Sequence, residues 1–434
     1  MDLRSGLPGR VRELVAHLAA ADVPVFLVGG GVRDLLLGRP IRDIDLVVGR
    51  PLDALQALLP EATRIDAATP VLLLREDAHA PRIEITTLRG PVESLEADLR
   101  ERDFTLNAIA FDLQQGRWID PLGGRHDLEA RRLRAANLAR SFRADPLRIQ
   151  RGVRLGLELD LSLDPPTGHA MEHEAWRLAG VAGERRRDEL LRMLELALPS
   201  RGLEQLRELG ALAALLPELL REVAVAQSAP HREDVYAHTL RVCDLLRPAP
   251  RLRLAALLHD AGKPETKRRR ADGRFSFHRH EQRGVRHVER CANRLRLSRR
   301  DRSRIAALVR HHLLFPERLE SEKALRRMLH RVGRDILPEL LELRRADLAA
   351  RDPDGRPPPE WSEVERRIRA LDADEPAEPK LAIGGKEIMH ELGIGEGPEV
   401  GRWLRRLRRR VLEHPHENQR ERLRAWLREG RRED

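Results

Sequence analysis

The sequence predicts an α+β protein: a small α/β head followed by helices to the end of the chain. Three observations predict it. Up to residue 120, short apolar runs of strand length alternate with glycine turns and charged stretches. From Asp127 to about Val225, Leu and Ala recur at helical spacing with Arg and Glu between them. Beyond residue 231 the helical pattern continues but carries nearly all the remaining histidines.

In order along the chain, residues 10–22 read as an amphipathic helix, and Pro24–Gly31 (PVFLVGGG) as a buried strand ending in glycines. Val32–Leu37 starts a helix and Ile41–Val48 reads as a strand. Val71–Leu74 and Ile83–Leu88 continue a sheet. Phe104–Phe111 reads as helical, and Trp118–Asp120 ends a last strand. The expected divisions are a head over 1–124, a helical neck and body over 125–228, and a histidine-bearing domain over 229–351. A Pro- and acid-rich linker broken by one short helix follows over 352–380, then a basic helical tail over 381–434.

A chain of 434 residues suggests roughly two to four packed units. Lys and Arg number 80 against 70 Asp and Glu, a formal charge of +10. That balance suits a polyanionic partner such as RNA, and equally suits Arg-rich solvated faces. Cys243 and Cys291 lie in no CxxC pattern, and two thiols make no disulfide framework. The opening MDLRSGLPGR has no apolar core of a leader, and no stretch approaches the ~20 apolar residues of a membrane span. The expected location is the cytoplasm.

Within IRDIDLVV, alternation puts Ile44, Leu46 and Val48 on one strand face and Asp43 and Asp45 on the other. Two carboxylates one pleat apart suit hard divalent cations such as magnesium, which can activate an attacking hydroxyl and neutralise a leaving pyrophosphate. An edge strand with solvated acids is the plain alternative. Upstream lies Gly29-Gly30-Gly31-Val32-Arg33-Asp34, a strand, glycine turn and helix start. Glycines let a backbone approach phosphates, a helix N-terminus offers free N–H groups, and Arg33 adds charge. The combination is more specific than either part.

GGGVRD followed by RDIDLVV resembles the head of class II tRNA nucleotidyltransferases and bacterial poly(A) polymerases of the polymerase-β superfamily. Arg102-Asp103-Phe104-Thr105-Leu106-Asn107-Ala108 resembles the family's RRDFTxNA segment, with Glu101 at its first Arg position. The resemblance implies that Arg102, Asp103 and Asn107 handle ribose and phosphates beside Gly29, Gly30 and Arg33. Asp120-Pro121-Leu122-Gly123-Gly124 is similar to the DPxGG joint between head and neck. Glu84 falls where the family carries a further acidic residue, as a third metal carboxylate or as a structural strand acid. The implied fold is a polymerase-β-like head on an all-helical neck, body and tail.

Phe142–Arg151 resembles the family's EDxxR motif, with Ala144 at the usual Glu. The resemblance implies that Asp145 and Arg148 template the incoming base of CTP or ATP, with Arg151 extending the same face. Asp145 before Pro146 also reads as an ordinary helix cap. Gly183-Glu184-Arg185 and Glu189-Leu190 resemble the following ERxxxEL segment. After Leu88 the chain runs almost directly into Ala97-Asp98-Leu99, where CCA-adding members carry a longer, polar loop. In the family a shortened loop accompanies addition of the two cytidines alone, so the expectation leans to CC addition over full CCA.

His238, then His259-Asp260-Ala261-Gly262-Lys263, then Asp347 resemble the H…HD…D series of HD phosphohydrolase domains. That implies a divalent transition-metal site at His238, His259, Asp260 and Asp347. His280 and His311-His312 offer a second metal or phosphate site, and an inactive helical scaffold is the alternative. Arg405, Arg406 and Arg408–Arg410 in the tail read as RNA contacts or as a solvated helix face. The expected function is protein-templated addition of C, or of CCA, to the 3′ end of tRNA. A poly(A) polymerase, or an HD phosphohydrolase with an RNA-binding head, is the alternative.

Overall fold

The computed structural model describes residues 7–41, 43–66, 70–74, 82–88, 95–228, 233–314, 319, 321–374 and 380–430. It divides into two units, Met1–Leu196 with Arg201–Leu215, and Ala197–Ser200 with Leu216–Asp434.

The first unit is built on a seven-stranded mixed sheet. Its strands are β1 (Val25–Val28), β2 (Asp43–Val48), β3 (Thr63–Ile65), β4 (Val71–Leu74), β5 (Arg82–Thr87), β6 (Ala110–Asp112) and β7 (Arg117–Ile119), in the order β3-β4-β5-β2-β1-β6-β7. Within this sheet, among the described residues, only β2 and β5 run parallel, a pairing that needs a crossover; α3 (Leu52–Leu58), β3 and β4 supply it. Ile44, Leu46 and Val48 of β2 pack with Ile83 and Ile85 of β5 and with Val11, Leu14 and Leu18 of α1 (Gly9–Ala20). On the other face Val28, Val47 and Ala110 pack with Leu99 of α4 (Leu95–Arg100). Hydrophobic cover therefore protects both faces at one end of β2 and stops short of Asp43 and Asp45.

The segment expected as a helix, Phe104–Phe111, is a single tight turn over Thr105–Asn107 followed by β6. Its residues are buried on every side, so it carries no polar face and no helical period to separate helix from strand. Pairing with β1, Val28 opposite Ala110, decides for strand.

The unit continues with α5 (Gly124–Glu129), a short parallel pair β8 (Arg132–Leu133) and β9 (Ser162–Leu163), then α6 (Ser141–Ala144), α7 (Leu147–Leu159), α8 (Pro165–Glu174) and α9 (Gly183–Met193). Gly152 makes close packing of α7 possible: a Cβ there would lie 2.6 Å from the Phe104 ring.

The second unit is helical apart from a hairpin, β10 (Lys267–Arg269) with β11 (Phe275–Phe277). The stretch read as a linker contains a 16-residue helix, Pro359–Asp374, longer than expected, with Trp361 and Ile368 fully buried. The tail packs its own core of Ile388, Leu392, Trp403, Leu407, Leu423 and Leu427. Part of its basic run is engaged locally: Arg410 pairs with Glu417, Arg409 with Glu413, and Arg406 covers Trp403. Among the described residues no helix is long and apolar enough to cross a membrane.

Candidate active site

One cavity of about 870 Å³ in the first unit gathers twelve of the sequence-expected residues: Gly29, Gly30, Arg33, Asp43, Asp45, Glu84, Arg102, Asp103, Asn107, Asp145, Arg148 and Arg151. Asp43 and Asp45 share a face, as alternation requires. The parallel register sets Glu84 beside Asp45 and Arg82 beside Asp43. Glu84 is ion-paired with Arg82. Burial raises the Asp45 carboxyl above its ordinary value; Arg102 opposes the shift, and Glu84 and Asp43 add to it. A part-buried carboxylate crowded by two others, with Arg102 and Arg82 opposing, is a fitting place for a cation with oxygen ligands. The glycine turn closes over the same spot. Gly29 has φ +71°, and a Cβ there would stand 2.8 Å from Asp45 Oδ2 and 3.2 Å from an Arg102 Nη.

Much of the remaining lining is basic and held by one continuous network. Arg33, on α2 (Gly30–Leu36), donates to Asp34 and to Asn107 Oδ1 at 2.9 Å. Asn107 Nδ2 donates to Asp103 Oδ1 at 3.0 Å, and Arg151 reaches Asp103 Oδ2 at 3.3 Å. Arg151 and Arg154 then share Glu189, at 3.2 and 2.7 Å. Burial would raise Asp103, but Arg151, the Asn107 amide and the Phe104 N–H hold it below the ordinary carboxylate value. Arg102 is steadied by the buried Asp98, four residues earlier on α4, at 3.2 Å.

The pair on α7 is arranged in detail. Asp145 Oδ1 accepts from the Leu147 N–H at 3.3 Å, the capping role, while Oδ2 accepts from Arg185 at 2.9 Å. Arg148 donates to the carbonyls of Glu101 and Arg102, at 2.8 and 3.2 Å, and to Ser141 Oγ at 2.9 Å. These contacts use three of its five N–H groups and lock its plane against the strap that carries Arg102.

Asp34, Arg39, Arg154, Glu158, Arg192 and Glu195 also line the cavity and were missed in the sequence. For Arg154 and Glu158 a signal existed: with Arg151 they share the i, i+3, i+4 face of α7. Arg39, Arg192 and Glu195 carry no local signal.

The second unit holds the histidine cluster. His238, His259 and Asp260 form one buried group whose ligand atoms lie within 4.8 Å of one another, and Asp260, His280 and His312 form another. The Nδ1 atoms of His259, His280 and His312 each meet a backbone carbonyl, of Ala256, Phe277 and Val309, at 2.7–2.8 Å. A carbonyl only accepts, so each Nδ1 carries a proton and leaves its Nε2 to face Asp260 and the neighbouring imidazoles. His259 Nε2 and Asp260 Oδ2 lack an aligned hydrogen-bond partner although buried; Lys263 Nζ lies 2.6 Å from Oδ2 as an ion pair. Imidazole lone pairs around one carboxylate fit a transition-metal ion.

Asp347, expected as a further ligand, lies outside the close groups but against His238. Arg344 and Arg351, at i−3 and i+4 on one helix face, take its oxygens at 2.5 and 3.0 Å, and His238 Nε2 adds a contact at 3.1 Å. Against the effect of burial, these partners hold it well below the ordinary carboxylate value. It stands against His238, itself a member of the first group, with two arginines offsetting its charge. His311 is absent from both groups, and its neighbour His312 is in one.

Residues 25–134 match the family described as the poly A polymerase head domain, residues 160–222 the probable RNA and SrmB-binding site of polymerase A, and residues 235–352 the HD domain. The chain is 39% identical over 399 residues to the A-adding tRNA nucleotidyltransferase of Deinococcus radiodurans, covering 88% of this chain and 90% of that one. It is 37% identical over 398 residues to the CC-adding tRNA nucleotidyltransferase of Thermus thermophilus, covering 88% of each. The structure of the Bacillus stearothermophilus CCA-adding enzyme in complex with CTP aligns with a TM-score of 0.72 at 26% identity, over 98% of this chain and 99% of that one.

Proposed function

The chain belongs to the tRNA nucleotidyltransferases, enzymes that extend the 3′ end of tRNA, and on that premise we propose that it adds the two cytidines from CTP. Likeness to tRNA nucleotidyltransferases over 88% of the chain favours this reading over a poly(A) polymerase and over a phosphohydrolase with an RNA-binding head. One observation carries nucleotidyl transfer: a crowded carboxylate group and a set of networked arginines line one cavity together.

Asp43 and Asp45, with Glu84 beside them, would hold magnesium, whose oxygen-rich donor set they match. When bound, the metal supplies activation of the tRNA 3′ hydroxyl and charge neutralisation of the departing pyrophosphate. Gly29 and Gly30 let the triphosphate approach the start of α2. Arg33 and Arg102 offset phosphate charge, each braced from behind by an acid, Asp34 and Asp98. Asp103 and Asn107 sit one layer back and hold Arg33 and Arg151 in place. Asp145 accepts from the exocyclic amine of the base, and Arg148 donates to the ring with the N–H groups its carbonyl contacts leave over. Both C and A carry that amine. Arg185, 2.9 Å from Oδ2, steadies the Asp145 carboxylate for the amine.

The choice of cytidine rests on length. Seven residues, 88–94, join β5 to α4, too few for a polar loop that would re-aim the base-reading pair toward ATP. Residues 89–94 lie outside the described residues, so the length of sequence carries this reading. The histidine cluster would hold a transition metal and serve a secondary phosphohydrolase activity. A tRNA substrate favours a cytoplasmic location. The test is to supply tRNA transcripts lacking CCA, CA or A with CTP or ATP and sequence the products. Two, one and no cytidines are expected in turn, and addition of the terminal A at a comparable rate overturns the choice of cytidine.

A further inference from the structure

In a chain with five Trp, one Tyr and seven Phe, aromatic surface is scarce. Yet Trp176 is left 67% exposed, more than any other large hydrophobic side chain among the described residues. It stands on the tight turn Ala175–Gly180 that follows α8. Ala175 and Leu178 on that turn point inward, so the indole is turned out by the packing of its neighbours. The Arg177 guanidinium lies 4.5 Å from its ring centroid. Arg177 is fixed by Glu174, which also takes Arg143 at 3.4 Å. Two arginines share one carboxylate, which leaves the ladder net positive. Arg143 lies on α6, two residues before Asp145 in the catalytic cavity.

We propose that Trp176 is a stacking platform for an unpaired base of the tRNA substrate, with Arg177 and Arg143 meeting the adjoining phosphates. The proposal rests on the tRNA reading above and adds a contact to it. An indole offers a flat face to any base, and a guanidinium held against it restricts the ring and supplies charge. A protein partner would be met by an apolar patch; here Arg177 lies on the indole, and Arg143 and His173 gather on the neighbouring Glu174, which suits a polyanion. The residue lies within the segment 160–222 that matches an RNA-binding family. Trp176 touches no group that reads the nucleotide, so it acts as a positioning residue on RNA alone.

The experiment compares wild type, Trp176→Ala and Trp176→Phe. It measures KM for tRNA lacking CCA, KM for CTP, direct binding of labelled tRNA without nucleotide, and sedimentation. Expected for Trp176→Ala is a rise of about ten-fold in KM and Kd for tRNA, from the loss of one stacked base. KM for CTP, Tm and oligomeric state stay unchanged, and Trp176→Phe restores most of the loss. An unaltered KM and Kd for tRNA in Trp176→Ala overturns the proposal, and so does a change of oligomeric state, which would assign the indole to a second copy of the chain. Failure of the wild type to extend any tRNA would instead sink the proposed function, while the binding measurement still reads Trp176.

Discussion

At the scale of single residues, the site is a set of charges each assigned a partner. Asp103 takes the Phe104 N–H, the Asn107 amide and Arg151. Asp103→Asn turns an acceptor into a donor facing Arg151, so it should cost about 2 kcal/mol of stability, read by denaturant unfolding. Because the folded-state value of Asp103 is depressed, its contribution is fully present above the ordinary 3.8 and disappears as the pH falls below that through the folded value. Wild type and variant should therefore converge in stability only in strong acid; a gap that closes near neutrality would contradict the assignment. Arg185→Ala should leave Asp145 less ordered without loss of chemistry. We expect a several-fold rise in KM for CTP and a kcat within about two-fold of wild type.

At the scale of elements, close approach matters more than propensity. A Gly→Ala change inside a helix normally stabilises by about 1 kcal/mol. At Gly152 of α7 the sign should reverse, since the added methyl would lie 2.5 Å from Met171 Cε and 2.6 Å from Phe104 Cζ. The thioether can move; the fully buried ring, on the strap that carries Arg102 and Asp103, cannot. Gly152→Ala should cost about 1–3 kcal/mol and lower kcat, since α7 and the phosphate-handling strap are pushed apart. Differential scanning calorimetry with steady-state kinetics checks both, and a raised Tm would refute the packing account.

At the scale of the whole molecule, the carboxylate cavity of the first unit and the histidine cluster of the second share no residue. Asp43→Ala should abolish nucleotide addition and leave metal binding by the histidine cluster intact. His259→Ala should do the reverse, as calorimetric titration of metal beside the extension assay will report. The charge of +10 should make tRNA binding strongly salt-dependent. KM for tRNA is expected to rise at least roughly ten-fold between about 50 and 200 mM salt, with KM for CTP far less affected. A flat salt response would move recognition from phosphates to neutral contacts.

Much of the site was legible in the sequence because its determinants are local. Period-two alternation places Asp43 and Asp45 on one face whatever the partner strands, and the glycines before α2 announce a close approach in their own composition. The cap at Asp145 is local too, as is the shared face of Arg151, Arg154 and Glu158 on α7. Tertiary structure alone decided what depends on register and on contacts between distant segments. The parallel pairing of β2 with β5 put Glu84 beside Asp45 and crowded its carboxyl. Pairing with β1 turned part of Phe104–Phe111 into strand. Folding also wired Arg33 through Asn107 and Asp103 to Arg151, and set His312 instead of His311 beside Asp260. Alternation follows from backbone geometry within a few residues, whereas register follows from how buried side chains fit across the core.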